Sequence, residues 1–271
     1  MHLMAVMNTA ALPATLSNDQ LAQYHRDGYL FLRGVFTAEE VHEFQSEAAR
    51  LLASELVDEK NIRTRPRKLP SGALEVERFD PVIDVSSIFR DVINSERILG
   101  PLRDIFEEEA VLFKDKLIFK VPGMSGYTMH QDYAWWQPQG TDSELPGIDP
   151  DKILSVMVGI DAADAANGAI QLFPGRHHEL MSTPGELRNM NDDETATLDR
   201  TTTVLGETQP GDVVIFHSLT PHCSERNNSP RSRRQLYMTY NAKSAGDVYE
   251  AQQVHYRNYT TKQNGEGLFF R

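Results

Sequence analysis

The chain has 271 residues and a formal net charge of −12, and hydrophobic residues make up 40% of it. The hydrophobic fraction is enough for a sizeable core, and the length suits one large domain. The acidic balance argues against nucleic-acid binding as the main task, and no apolar run reaches the roughly 20 residues that a membrane span needs. The single cysteine, Cys223, cannot form an internal disulfide, which indicates a reducing, cytoplasmic location.

The first third of the chain is predicted to be mainly helical. Two capping boxes, which begin at Ser17 and Thr37, each predict the start of a helix. Between these helices, residues 29–32 have the composition of a strand. Another helical stretch is predicted at residues 87–108, with an interruption near Gly100-Pro101.

A loop between these helices carries the one concentrated positive patch of the sequence. Arg63, Arg65, Arg67 and Lys68 lie close together in a proline-containing segment. Two interpretations stay open: a solvated loop, or a mobile lid that meets an anionic substrate.

Short strand-like runs dominate the chain after these helices. Residues 110–120 form the first, in which Lys116, Ile118 and Lys120 share one face, although the sequence does not decide which face points inward. Further strands are predicted at residues 153–160, 169–173, 202–205, 213–216 and 235–240. The turn dipeptide Asn167-Gly168 predicts a hairpin between the first two of these.

The order of elements indicates one barrel with helices outside it. Residues 1–16 lack a basic start and are expected to form a flexible arm. A single domain is predicted at residues 17–271, with a helical part at 17–109 and a barrel core at about 110–241. The C-terminal extension, residues 242–271, either covers the barrel or meets a partner subunit.

The sequence His130-Gln131-Asp132 is an H-x-D pair that suggests a metal site. On a strand, residues i and i+2 point to the same face, so an imidazole and a carboxylate would lie a few ångströms apart. These are two of the three ligands of a 2-His-1-carboxylate facial triad. The best candidate for the third is His222, which follows a strand and a turn. His217 lies five residues before it and is interpreted as structural.

Several motifs together resemble the phytanoyl-CoA dioxygenase family of Fe(II)/2-oxoglutarate-dependent oxygenases. They are the H-x-D pair, the G-D-x-x-x-F-H and P-H-x-S sequences within residues 211–224, and Arg233, eleven residues after His222. The resemblance extends over roughly residues 19–241. It implies a mainly β fold with flanking helices, built on a double-stranded β-helix, that is, a jelly-roll or cupin-like barrel.

The resemblance also implies the activity and its ligands. The expected cofactors are Fe(II), 2-oxoglutarate as co-substrate and O2, and the expected reaction hydroxylates a small-molecule substrate with release of succinate and carbon dioxide. His130, Asp132 and His222 would bind the iron, and Asp132 argues against halogenation. Desaturation, cyclisation, epoxidation and a non-catalytic metal- or small-molecule-binding barrel stay open as alternatives.

Other residues match family positions around the co-substrate. Arg233 matches the position that binds the distal carboxylate, for which an arginine fork is well suited, with Arg231 and Arg234 as rivals. Ser224 and Ser155 match positions that contact the co-substrate, or are small core residues. The strand at 110–120 helps to hold the co-substrate in the family, and among its lysines Lys116 is the first to test.

Candidate substrate contacts lie beside the H-x-D pair and on the strand after it. Each is a candidate wall of the substrate site, but could equally belong to the barrel core. They are Tyr133, Trp135, Trp136 and Met157. The identity of the substrate does not follow from these residues; an anionic small molecule is the hypothesis that the basic loop suggests, with no role expected for nucleic acid or membrane.

Overall fold

The protein is described here by a computed structural model, which covers residues 15–64, 66–138, 145–264 and 268–271. The helices are α1 (Asn18–Asp27), α2 (Ala38–Leu52), α3 (Ser87–Ile93), α4 (Glu96–Phe106), α5 (Asp192–Ala196) and α6 (Tyr249–Asn264). The strands are β1 (Tyr29–Leu32), β2 (Pro66–Lys68), β3 (Leu74–Val76), β4 (Arg78–Phe79), β5 (Ala110–Lys120), β6 (Tyr127–His130), β7 (Ile153–Gly159), β8 (Ile170–Leu172), β9 (Val204–Gly206), β10 (Val213–His217), β11 (His222–Ser224) and β12 (Arg233–Ala242).

Two antiparallel sheets form the barrel. One has six strands in the order β1-β10-β7-β12-β5-β4, and the other has four in the order β6-β11-β8-β9. Buried side chains from both sheets meet between them, for example Met157 and Phe216 of the larger sheet with Leu172 of the smaller. The predicted jelly-roll barrel is confirmed.

Helices α2, α3 and α4 pack on the outer face of the larger sheet. Phe44 of α2 and Phe89 of α3 belong to the same buried cluster as Leu117 and Phe119 of β5. Because side chains alternate along a strand, burial of these two β5 residues under the helices turns Lys116 towards the barrel interior. The packing therefore decides the question of faces that the sequence left open.

The helix boundaries follow local signals, with one exception. Both capping boxes form, at Ser17 and at Thr37. The predicted interruption near Gly100 is wrong, because α4 continues through this position and the break lies at Asn94 and Ser95. The side chains of Asn94 and Ser95 donate to main-chain carbonyls of α3, at 2.8 Å each, and so compete with further helical hydrogen bonds.

The predicted hairpin through Asn167-Gly168 is also wrong. β7 pairs with β10 and β12 in the larger sheet, whereas β8 pairs with β9 and β11 in the smaller. Asn167 shapes the connection, since its side chain donates to Ala162 O and accepts from the Asp164 amide, both at 2.8 Å. Gly168 has a φ of +72°, and a Cβ there would lie 2.6 Å from Lys120 Nζ. The turn thus crosses between sheets.

The C-terminal extension packs on its own chain. α6 lies against β5, and the Tyr249 hydroxyl donates to Asp115 Oδ1 at 2.8 Å. Further on, the Ile62 amide donates to Phe269 O at 2.9 Å. Among the described helices, none combines the length and the apolar character that crossing a membrane requires.

Candidate metal centre and the surrounding cavity

The three residues predicted as metal ligands converge in the barrel. His130 ends β6 and His222 begins β11, and the two are paired directly across these strands. Asp132 Oδ1 lies 3.7 Å from His130 Nε2 and 3.9 Å from His222 Nε2. Ligand atoms of all three residues lie within 4.8 Å of one another, which is the spacing expected around one metal ion.

The backbone at the H-x-D pair differs from the prediction. The strand ends at His130, and Asp132 is the first residue of a 3₁₀ turn that extends to Trp135. The Tyr133 amide donates to Ser218 O at 3.0 Å, which fixes this turn against the loop before His222. The two ligands are therefore neighbours because a strand ends in a tight turn, and not because both lie on one strand.

Gln131, between the two ligands, anchors this arrangement. Its side chain is almost completely buried and donates to Leu219 O at 2.6 Å and to Glu179 O at 2.8 Å. Its Oε1 accepts from the Met181 amide at 2.7 Å. Gln131 thus ties the H-x-D segment to the loop that carries the third ligand. The sequence carries no signal for this role beyond its place between the ligands.

Each ligand is held in a form that suits a metal. His130 Nδ1 donates to Thr128 O at 2.7 Å and His222 Nδ1 to Thr220 O at 2.9 Å, which leaves Nε2 of both rings with a free lone pair. Burial and the nearby His222 lower the pKa of His130, so its ring is neutral. Burial would raise the pKa of Asp132, but neighbouring groups, among them Lys116 and the Ser155 hydroxyl, lower it overall and favour the charged carboxylate.

This donor set fits Fe(II). Two neutral imidazoles and one carboxylate on one side of an ion leave adjacent positions open for other ligands. Ser155 donates to Asp132 Oδ2 at 2.6 Å, so one carboxylate oxygen is fixed while Oδ1 faces both histidines. Ser155, predicted to contact the co-substrate, is thus placed where it orients a metal ligand.

Arg233 lies at one end of the barrel interior. Its side chain is 2% exposed and Nη1 donates to Gln235 Oε1, as does the Tyr237 hydroxyl at 3.3 Å. Within the part of the chain that the structure describes, Arg233 Nε and Gln235 Nε2 are buried without a hydrogen-bond partner. Two unsatisfied donors on the same face of one strand fit an additional acceptor, such as a carboxylate. Gln235 was not predicted, although it follows Arg233 at strand spacing.

Lys116 and Lys120 of β5 point to the same interior face but lie in different surroundings. Lys120 pairs across from Arg233 and donates to Ser224 Oγ at 3.0 Å and to Gly168 O at 3.1 Å. Burial and the charge of Arg233 lower the pKa of Lys120 to about 7. Lys116, the lysine preferred from sequence, instead lines the cavity beside the metal ligands. Of the two, Lys120 is the one that neighbours Arg233 and Ser224.

The cavity beside the metal ligands is partly aromatic and partly cationic. Its walls include Lys114, Lys116, Ile118, Tyr127, Trp136, Ile170, Ser224 and Tyr237. Of the four residues predicted as substrate contacts, Trp136 is placed here. Tyr133 donates its hydroxyl to Ile148 O at 2.6 Å, Trp135 packs on Tyr259, and Met157 is completely buried between the sheets. None of these three belongs to the wall of this cavity.

The basic loop is placed differently from the prediction. Arg63 is 1% exposed and its guanidinium pairs with Asp84 at 2.6 Å, so for Arg63 the lid hypothesis needs correction: it is a structural ion pair, and not a cation free to meet a substrate. Arg67 pairs with Glu77 at 3.0 Å, and neither arginine lines the cavity. Lys68 is exposed, and Arg65 lies outside the described residues.

Comparisons with known proteins agree with this geometry. The sequence profile of the phytanoyl-CoA dioxygenase family matches residues 24–235. A 2-aminoethylphosphonate dioxygenase from an uncultured bacterium is 28% identical over 231 residues, which cover 85% of this chain and 84% of the relative. A methylphosphonate hydroxylase from Gimesia maris is 26% identical over 236 residues, covering 87% and 85%.

A solved structure supports the fold. EctD from S. alaskensis, crystallised with 2-oxoglutarate and 5-hydroxyectoine, superposes with a TM-score of 0.73 at 23% identity. The similarity covers 89% of this chain and 81% of that one.

Proposed function

The chain belongs to the phytanoyl-CoA dioxygenase family, and we propose that it holds its iron through His130, Asp132 and His222. It is an Fe(II)- and 2-oxoglutarate-dependent dioxygenase that hydroxylates a small-molecule substrate. When bound, the iron and 2-oxoglutarate supply the activation of O2, with succinate and carbon dioxide as the products of the co-substrate. The observation that carries the assignment of ligands is the convergence of three ligand atoms within 4.8 Å.

The protein's part in the reaction is to position the metal ligands and to shield the substrate from water. The carbonyls of Thr128 and Thr220 fix the two imidazole rings, and Ser155 fixes the carboxylate of Asp132. Such outer contacts commonly change metal affinity by about 10- to 100-fold when they are lost. Trp136 and the neighbouring apolar wall exclude water from the side of the substrate.

For the co-substrate, Arg233 binds the distal carboxylate of 2-oxoglutarate. The unsatisfied donors of Arg233 and Gln235 support this, because a carboxylate would complete the hydrogen bonds of both. Ser224 adds a hydroxyl, and Lys120, which donates to Ser224, adds a positive charge behind it. Arg234 is an unsuitable rival, since it pairs with Asp161 at 2.7 Å on the other face of β12.

The substrate is a small anionic molecule that is oxidised in the cytoplasm. The two phosphonate-oxidising relatives and the lysines in the cavity wall support the charge. The single cysteine supports the location, because it suits a reducing compartment.

The test compares the proposed ligand His222 with its neighbour His217. His217 lies 3.2 Å from Asp151 and outside the cluster of ligands, which makes it a matched control. His222→Ala should lose stoichiometric iron, measured by elemental analysis, and more than about 100-fold of its succinate formation, whereas His217→Ala should keep both. Full succinate formation by His222→Ala would overturn the assignment of the third ligand.

A further inference from the structure

The wall of the cavity carries two lysines from one strand. Lys114 and Lys116 lie two residues apart on the inward face of β5, so their Cα atoms are about 7 Å apart. Both line the same cavity as His130, Asp132 and His222. Arg233, across from Lys120, is about 13 Å further along the strands from Lys116. These lysines are therefore separate from the proposed binding site of the co-substrate.

Behind Lys114, one carboxylate forms ion pairs with two cations. Asp80 is completely buried, and its Oδ2 lies 3.0 Å from Lys114 Nζ and 3.3 Å from Arg78 Nε. The Tyr256 ring of α6 packs 4.3 Å from Lys114 Nζ, and its hydroxyl accepts from Arg78 at 3.4 Å. Arg78 Nε makes no hydrogen bond of its own among the described residues. We call Lys114, Lys116 and Arg78, with Asp80, the Lys114 end of the cavity.

Lys116 has no such counterion. No ion pair of Lys116 occurs among the residues that the structure describes, and its Nζ lies 5.4 Å from the centroid of the Tyr237 ring. The carboxylate of Asp132 attracts it, but that group faces the metal ligands. A buried cation is costly unless an anion pairs with it. Lys116 therefore faces a cavity in which an anionic ligand would be stabilised.

The charges at the Lys114 end are unbalanced by two. This end holds three positive side chains and one carboxylate, Asp80, which pairs with two of them, Arg78 and Lys114. Glu77 lies nearby, but Arg67 pairs with it at 3.0 Å, so this pair changes nothing in the balance. Asp115 points to the other face of β5, where it accepts from the Val82 and Ile83 amides. A ligand with two negative charges would restore neutrality.

We propose that the Lys114 end binds the head group of the substrate, and that this head group is a phosphonate- or phosphate-type dianion. The inference rests on the proposed function and adds to it the residues that select the substrate. Lys116 and Lys114 donate to the head-group oxygens, and Arg78 supplies charge behind them. The carbon chain then extends along the cavity towards the metal ligands, past Trp136.

The first experiment compares head groups on the full-length protein loaded with Fe(II) and 2-oxoglutarate without oxygen. Ethylphosphonate, ethyl phosphate, propionate and propionamide are titrated by calorimetry. The two dianions should bind at least about tenfold more tightly than propionate, which corresponds to ~1.4 kcal/mol, and propionamide should not bind measurably. Tighter binding of one of the two dianions then shows whether the head group is a phosphonate or a phosphate ester. Equal binding of propionamide would overturn the proposal.

The visible charge-transfer absorption of the Fe(II)–2-oxoglutarate pair is followed in the same samples. If this absorption fails to form in the parent protein, the proposed function is wrong. The titration is also repeated with metal-free protein, so that anion binding at the Lys114 end is tested independently of the iron. If it forms and ethylphosphonate abolishes it, the anion binds at the co-substrate site and the present inference is wrong.

The second experiment removes one charge. Lys116→Met keeps an unbranched side chain of nearly the same length and leaves no carboxylate without a partner, so it should fold, which circular dichroism checks. It should bind ethylphosphonate at least about tenfold more weakly with unchanged charge-transfer absorption. Lys243→Met, at an exposed position, is the control and should bind as the parent does. Unchanged affinity in Lys116→Met would overturn the assignment.

Discussion

The two ends of the cavity both contain buried cations, but they hold them with different partners. At the Arg233 end, which comprises Arg233, Gln235, Lys120 and Ser224, the cations donate to a side-chain amide, a hydroxyl and main-chain carbonyls. At the Lys114 end, Asp80 pairs with two cations at once. Among the described residues, neither Lys120 nor Arg233 forms an ion pair.

This difference matters because neutral acceptors leave a positive charge largely uncompensated. A site arranged in this way depends on its ligand for charge balance, which suits a co-substrate that always carries two carboxylates. A carboxylate between two cations instead makes part of the charge structural. We therefore expect loss of Asp80 at the Lys114 end to affect folding, and changes at the Arg233 end to affect binding of the co-substrate.

The largest effect is expected from Asp80→Asn. Removal of this carboxylate leaves Lys114 and Arg78 buried without their shared counterion. The free energy of unfolding of the metal-free protein should fall by about 3–5 kcal/mol, as measured by urea denaturation. Asp164→Asn breaks a largely exposed pair with Arg231 and should cost less than about 1 kcal/mol. Equal losses in the two variants would mean that Asp80 is no more structural than a carboxylate in an exposed ion pair.

Arg233→Ala should weaken binding of the co-substrate. Loss of a buried, charged fork should weaken 2-oxoglutarate by about 2–5 kcal/mol, seen as a higher apparent KM. Arg231→Ala, at an exposed pair, should leave the KM unchanged, and Arg234→Ala should act on stability through its lost partner Asp161. A larger rise in KM for Arg234→Ala than for Arg233→Ala would mean that the other face of β12 points to the co-substrate.

The sequence predicted those parts of the fold that depend on local chemistry. The capping boxes at Ser17 and Thr37 and the alternation in β5 are such signals, and the structure contains each of them. The hairpin error has a different origin, because β8 finds its partner β11 some fifty residues later in the chain. α6 was missed since its contacts with β5 are polar, such as Tyr249 with Asp115, and give no apolar periodicity.

In the candidate site too, local sequence signals were predictive and features that depend on packing were not. The H-x-D spacing and the distal histidine were enough to find three residues that converge. Gln131 and Gln235 could not be found, because a single glutamine has no distinctive spacing and its role depends on which face of the segment is buried. The choice between Lys116 and Lys120 also depended on packing, since the two share a face but lie about 13 Å apart along β5.

The smallest effect is expected on the outer face of β5, at Asp115. This residue lies between Lys114 and Lys116 in the chain, yet it contacts the Val82 and Ile83 amides and the Tyr249 hydroxyl instead of the cavity. Burial raises the pKa of Asp115 from 3.8 to about 6, in spite of these hydrogen bonds. The charged form of Asp115 thus destabilises the folded protein at neutral pH, whereas the charges of the cavity lysines are proposed to bind an anionic ligand.

A carboxyl group whose pKa is raised on folding stabilises the protein below its unfolded pKa, and this contribution is lost as the pH rises through the folded pKa. For Asp115 that window lies between 3.8 and about 6. An asparagine can still accept from both amides and can donate to the Tyr249 oxygen. Relative to the parent, Asp115→Asn should therefore gain stability across this window, reaching at most roughly 3 kcal/mol above it. Urea denaturation from about pH 4 to about pH 8 measures the difference, with the exposed Asp91→Asn as control. A difference that stays constant with pH would mean that Asp115 does not titrate in this range and that its hydrogen bonds outweigh its burial.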